Sequence, residues 1–198
     1  MAFSRQAMQR ASEQARRASD VLTRLRRMVE RPDSQAARTP VNLNETVRDS
    51  LYLLEPQCRE HAVTTAVINQ RNVVVMADPV ALEQVIHNIA TNALQALEPN
   101  SAGERRLSFT VTDTGEQGEL RIADNGPGIP ADILPRLFEP FFSTRNEGLG
   151  LGLSVCESLL SNMDGRIRAQ NIAPHGAEFI ITLPLARKNP RVEPEGAL

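Results

Sequence analysis

Two asparagines four residues apart, Asn88 and Asn92, lie in "NIATNALQA", inside a segment whose apolar spacing predicts a helix. Residues at i and i+4 share one helix face. Asparagine competes with the backbone for hydrogen bonds and does little to stabilise a helix interior. Two amide oxygens on one face can serve a hard cation and the phosphates around it, because Mg2+ takes few protein ligands and keeps water and phosphate oxygens. The competing reading is a buried amide pair satisfied by backbone. A second cluster, "DNGPGIP" from Asp124 to Pro130, directly follows an apolar strand pattern. Asn-Gly and Pro-Gly are common turn dipeptides. An Asp at a strand end can also accept a hydrogen bond from an amino group such as the exocyclic amine of adenine. Gly126 and Gly128 would let a ring and the chain pass closely.

A third stretch, "EGLGLGLS" from Glu147 to Ser154, alternates glycine and leucine as a strand would. It precedes a helical pattern, however, so Gly148, Gly150 and Gly152 are expected to open backbone N–H groups at a helix start, which favours phosphate. Leu149, Leu151 and Leu153 would then turn inward. No Gly-Lys-Ser/Thr follows, and no G-x-G-x-x-G follows a strand, which disfavours two common nucleotide folds. Finally, "LFEPFFSTR" puts Phe138, Phe141 and Phe142 into a breaker-rich loop. That much apolar surface needs a place to dock, as a lid that packs differently with and without ligand would.

The elements that must position these residues are readable in outline. Met8, Ala11, Ala15, Ala18, Leu22, Leu25 and Val29 are spaced 3, 4, 3, 4, 3, 4 within a run free of Gly and Pro. That is a heptad seam, which packs against another helix. "RPDSQAARTP" reads as a linker. A helix follows, with Asn42 or Asn44 as N-cap and Pro56 expected to kink or end it. "AVTTAVI" and "NVVVMA" read as strands. Asp78 and Pro79 open the helix that carries the asparagines. "RLSFTVTDT" and "GELRIAD" form a hairpin. "LGLSVCESLLSNMDG" is a helix expected to end at Gly165, and "RIRAQN" and "AEFIITLPL" complete the strands. The fold class is α+β: a two-layer α/β sandwich, with a mixed, largely antiparallel sheet and helices on one face, preceded by a long N-terminal helix.

Composition narrows the partners. Of 198 residues, 41% are hydrophobic and 23% charged, as in a globular protein. With no Trp, one Tyr and six Phe, an aromatic platform for nucleic acid is not expected. Residues 1–31 hold eight Arg against Glu13, Asp20 and Glu30, a local balance of +5 beside a net −2 for the whole chain. A basic helix can bind nucleic acid or a membrane surface, but this one reads as a solvated or partner-facing helix. Cys58 and Cys156 show no metal or disulfide spacing, which fits a cytoplasmic setting. No apolar run is long enough to span a bilayer.

Taken in order, "NIATNALQA", "DNGPGIP", "FEPFFST" and "GLGLGLS" resemble the N, G1, F and G2 boxes of a sensor histidine kinase, in the wider ATPase family shared with gyrase, the mismatch-repair ATPases and the heat-shock chaperone. The resemblance implies a Bergerat-type ATP-binding fold and divides the chain into a partial dimerisation helix (1–31), a linker (32–40), an ATP-binding catalytic domain (41–186) and a flexible tail (187–198). It implies ATP and Mg2+ as cofactors. Asn92 would ligate Mg2+ with Asn88 beside it, both catalytic. Asp124 would bind the adenine amine, with Gly126, Gly128 and Ile129 lining the base. Phe138 would anchor the lid. Gly148, Leu149, Gly150, Leu151 and Gly152 would meet the phosphates. Hydrolysing relatives carry a Glu where this chain has Asn88, which cannot act as a base. Glu83, nine residues from Asn92, faces the other way, so slow hydrolysis and transfer to an acceptor are expected.

Departures matter as well. No His followed by Glu or Asp lies in a helix: His61, His87 and His175 do not fit a phosphoacceptor, which is therefore expected on a helix outside this chain. Gly176-Ala177 replaces the family's frequent Gly-Thr. Gln95 stands where some relatives have a basic residue, and Arg145 is expected to supply that charge. The implied partners are ATP, the phosphoacceptor helix, a response regulator receiver domain and a second copy through residues 1–30, with neither nucleic acid nor membrane. An anti-sigma-type serine kinase shares the boxes, although the heptad helix argues against it. A nucleotide-sensing dimerisation module without catalysis is the other alternative.

Overall fold

The computed structural model of the chain describes residues 38–69, 72–143 and 150–186. The heptad helix, residues 32–37 of the linker, the tail from Arg187, and Arg145, Gly148 and Leu149 lie outside the described residues.

Alternation builds the main sheet. In β4 (Arg106–Asp113) Leu107, Phe109 and Val111 are buried while the residues between them are only half so. The antiparallel register sets Phe109 opposite Ile122 of β5 (Gln117–Asp124), and Ile122 opposite Phe179 of β7 (Ala177–Pro184). One face thus gathers the apolar side chains of three central strands. β2 (Thr64–Asn69) pairs parallel with β4 at one edge, and β6 (Arg166–Asn171) pairs antiparallel with β7 at the other, giving the order β2-β4-β5-β7-β6. On the opposite face Arg121 bonds Glu119 at 2.7 Å and Glu178 at 3.2 Å. Ile180 is buried on that polar face, cross-strand from Arg121 and Arg168, whose apolar stems can cover it.

Among the described residues, three helices cover the apolar face. α1 (Leu43–Glu60) contributes Leu43, Val47 and Leu54; α2 (Pro79–Ala96) contributes Leu82, Val85, Ile86 and Ile89; α3 (Gly152–Ser161) contributes Cys156 and Leu160. Asn42 is the N-cap of α1, accepting from Asn44 N at 3.0 Å. Asn44 is instead buried inside the helix, where its Oδ1 takes the Val73 N–H at 3.0 Å. Asp78 caps α2 by accepting from Val80 N and Ala81 N, with Pro79 in the first turn.

Three local expectations change. Pro56 does not end α1, which continues to Glu60. Proline removes a bond to the Tyr52 carbonyl, and Tyr52 and Pro56 are both exposed, so that side of the helix is open to solvent. α3 stops at Ser161, and the left-handed residue is Asp164 (φ 54°). Gly165 is needed for space, because a Cβ there would lie 2.7 Å from the Thr182 carbonyl. Finally, Thr39 and Pro40, the last residues of the expected linker, belong to β1 (Thr39–Asn42), which pairs with β3 (Val74–Ala77) in a small second sheet. That sheet joins the end of β7 through a Val75–Leu185 bridge.

Candidate nucleotide-binding site

A cleft of about 850 Å³ opens between α2, the end of β5, the segment after it and the start of α3. At one end stands Asp124, the last residue of β5 and only 4% exposed. Its Oδ1 accepts from Gly126 N at 2.9 Å and Ala177 N at 3.4 Å. Burial pushes its pKa above the usual carboxylate value, and the two backbone N–H groups offset part of that.

The backbone around Asp124 is pinned from several sides. Asn125 Oδ1 accepts from Arg106 N at 2.7 Å and its Nδ2 donates to Glu104 O at 2.7 Å. Its carbonyl accepts from Asn100 Nδ2 at 2.9 Å and lies 3.0 Å from His175 Nδ1, which makes Nδ1 the protonated nitrogen. Asn171 of β6 brackets Ile129, accepting from its N–H and donating to its carbonyl, each at 2.7 Å. Gly176 (φ 124°) passes so close behind that a Cβ would lie 2.1 Å from the Asp124 carbonyl. Gly128 and Ile129 line the cleft. Gly126 is buried beside the Ala96 carbonyl at the end of α2 and is not on the wall.

The other end is made by two helices. Asn88, Thr91, Asn92 and Gln95 form one polar face of α2 along the cleft. Asn88 Nδ2 donates to Cys156 Sγ at 3.7 Å. Thr91 Oγ1 is buried without a partner among the described residues. Gly150, Leu151, Gly152 and Leu153 bring the start of α3 to the wall, and among the described residues no side chain caps that helix. Its first N–H groups are thereby available to a ligand. Leu151 is buried and Leu153 packs against the core. Gly150 (φ 65°) sits against the Phe141–Phe142 peptide, where a Cβ would be 2.5 Å from the Phe142 carbonyl.

Of the aromatic cluster, Phe142 lines the cleft, with the Arg136 guanidinium 4.3 Å from its ring. Phe138 is half-buried against the core and is not on the wall. Phe141 is left-handed (φ 64°) and 67% exposed. Sequence reading missed Asn171 and Cys156, which support the site from a distant strand and helix and carry no local signature; it marked Gly176 only as part of Gly176-Ala177, not for its close approach to Asp124. Thr91 did leave a signal: it completes the polar stripe with Asn88, Asn92 and Gln95.

This combination of a buried strand-end carboxylate, an asparagine face and an uncapped glycine-rich helix start matches a known family. The profile of the histidine kinase-, DNA gyrase B- and HSP90-like ATPases covers residues 77–187. The chain belongs to this ATPase family. It is 34% identical over 187 residues to the sensor protein FixL of Bradyrhizobium diazoefficiens, covering 92% of this chain and 36% of FixL. The catalytic domain of the histidine kinase ThkA, in a nucleotide-free form, superposes with TM-score 0.67 at 29% identity, covering 74% of this chain and 95% of that domain. ThkA in complex with the response regulator TrrA gives TM-score 0.70 at 25% identity, over 86% of this chain and 48% of that one. The chain spans 15% to 39% of the length of the curated relatives it matches. The expected two-layer fold is therefore the fold of histidine kinase catalytic domains, and an ATP-binding domain of this ATPase family implies ATP as the nucleotide. No described helix is long and apolar enough to cross a membrane.

Proposed function

We propose that this chain is the catalytic part of a sensor histidine kinase that binds Mg-ATP and passes the γ-phosphoryl group to a histidine on a helix outside the chain, for relay to a response regulator. The observation that carries the reading is the layout of the cleft. An amine-accepting carboxylate, Asp124, lies at one end, and the N–H groups of α3 and the amides of α2 lie at the other.

In this reading Asp124 accepts from the adenine amino group, and Ile129 and Ala177 flank the base. The backbone at Gly150–Gly152, continued by Gly148 and Leu149 outside the described residues, takes the phosphates. Among the described residues no group of three or more His, Cys, Asp or Glu could enclose a metal. The donor chemistry fits Mg2+ held by the oxygens of Asn92 and Asn88 together with phosphate, where the ion would neutralise charge on the phosphoryl oxygens. Arg145, also outside the described residues, would add positive charge there, and Phe138 would anchor the segment before it to the core.

Asn88 supplies no base, and Glu83 is exposed on another side of α2. Water is therefore poorly activated. A neutral imidazole can attack the γ-phosphorus with its lone pair: a nitrogen–phosphorus bond forms, the bond to the bridging oxygen breaks, and ADP leaves. The response regulator is proposed as partner because ThkA, a structural neighbour, was solved with one. A homodimer would form through the heptad seam of residues 1–30.

Mixing the chain with a separate helix hairpin bearing the phosphoacceptor His and γ-labelled ATP tests this. Label on that His is expected. Nucleotide binding without transfer would favour a sensing module, and label on serine would favour the serine kinase alternative.

A further inference from the structure

We propose that Cys156 is a positioning residue for Asn88: its buried sulfur accepts the Asn88 side-chain N–H and so turns the Asn88 oxygen toward the phosphate end of the cleft. The inference rests on the functional reading above, in which that oxygen serves the metal and phosphates.

The geometry is specific. Cys156 is fully buried, one turn into α3, and Asn88 Nδ2 lies 3.7 Å from its sulfur. The same sulfur lies 4.0 Å from the Val85 carbonyl, one turn before Asn88 on α2. A carbonyl can only accept, so the thiol proton goes to Val85 and the sulfur keeps its lone pairs for the Asn88 amide. Were the thiol to donate to Asn88 instead, the amide nitrogen would face the cleft, where it could not ligate a cation. α3 also presents its first turn to the same end of the cleft. One side chain therefore couples the helix that would hold the phosphates to the helix that would hold the metal, as outer partners of metal ligands do.

Alanine and serine are close in volume, so Cys156→Ala and Cys156→Ser share the cost of lost packing and differ in the acceptor. Binding of a fluorescent ATP analogue is followed as Mg2+ is titrated. Cys156→Ala is expected to raise the Mg2+ needed for half-saturation about 10-fold, with metal-free nucleotide binding unchanged and with Cys156→Ser recovering most of the loss. In an Asn88→Ala background, Cys156→Ala should add no further loss. In the ligand-free chain the Asn88 side-chain amide resonances should move in Cys156→Ala. The inference is overturned if wild type binds and the Mg2+ dependence is the same in all three proteins, if Ala and Ser lose equally, if the loss persists without Asn88, or if the amide resonances stay put. Absence of nucleotide binding by wild type would overturn the functional reading itself, and this inference with it.

Discussion

The two ends of the cleft are built in opposite ways. The Asp124 end is held by backbone: Asn125 and Asn171 each make paired bonds to the main chain, and Gly176 fills the one approach that a side chain would block. Among the described residues, the Asn88 end has an uncapped helix start, a hydroxyl at Thr91 without a partner, and a single weak bond from Asn88 to sulfur. A rigid end can read shape, because its groups are fixed before the ligand arrives. An end rich in free donors and amide oxygens takes charge, and in this reading the metal and phosphates complete it.

The contrast can be broken most severely at Gly176. Gly176→Ala forces a Cβ against the Asp124 carbonyl at a φ that side chains avoid, so a loss of about 3 kcal/mol or more is expected. Urea unfolding checks it, and a wild-type midpoint would mean that this end yields more easily than its geometry implies. At the charged end, Asn92→Ala should weaken Mg-dependent binding of an ATP analogue about 10-fold while leaving unfolding nearly unchanged. A large fall in stability with unaltered metal dependence would make Asn92 structural. Asn171→Ala leaves the Ile129 N–H and carbonyl to water, for about 1 kcal/mol of stability. It should also weaken nucleotide binding with or without Mg2+, which separates it from Asn92→Ala.

The smallest effect is in pH. The folded pKa of Asp124 is raised by burial, so folding favours its protonated form. That contribution is fully present below the unfolded pKa of about 3.9 and is lost as pH rises through the raised folded value. Relative to Asp124→Asn, wild type should lose stability across that window and run parallel above it. Parallel curves throughout would contradict the assignment of the burial cost to Asp124.

What was legible in the sequence follows the same division. Features set by a few neighbouring residues read correctly: the Asp78-Pro79 start of α2, the hairpin of β4 and β5, and the helix after the glycine run. Of the two outcomes expected at Pro56, an early end does not occur, because the cost of the proline depends on whether the freed carbonyl meets water, which the chain alone does not reveal. Gly165 misled because its need is for space against β7. β1 hid in a linker pattern, since a proline is tolerated in an edge strand and Thr39–Asn42 is too short to alternate. Within the cleft, residue types were readable and support was not. Asp124 stands out by its motif. Asn171 and Gly176, 47 and 52 residues further on, do their work through the sheet register, as Cys156 does through the pairing of α2 with α3.

In the proposed reading, Asp124 reads the base of a nucleotide whose phosphates lie at the α2–α3 end. Titration of a fluorescent ATP analogue with Mg2+ into wild type and Asp124→Ala tests it directly. Loss of one hydrogen bond to a buried charge predicts binding weakened about 10- to 100-fold in the variant, with saturable binding by wild type. Equal affinity of the two proteins, or no binding by wild type, would contradict the account.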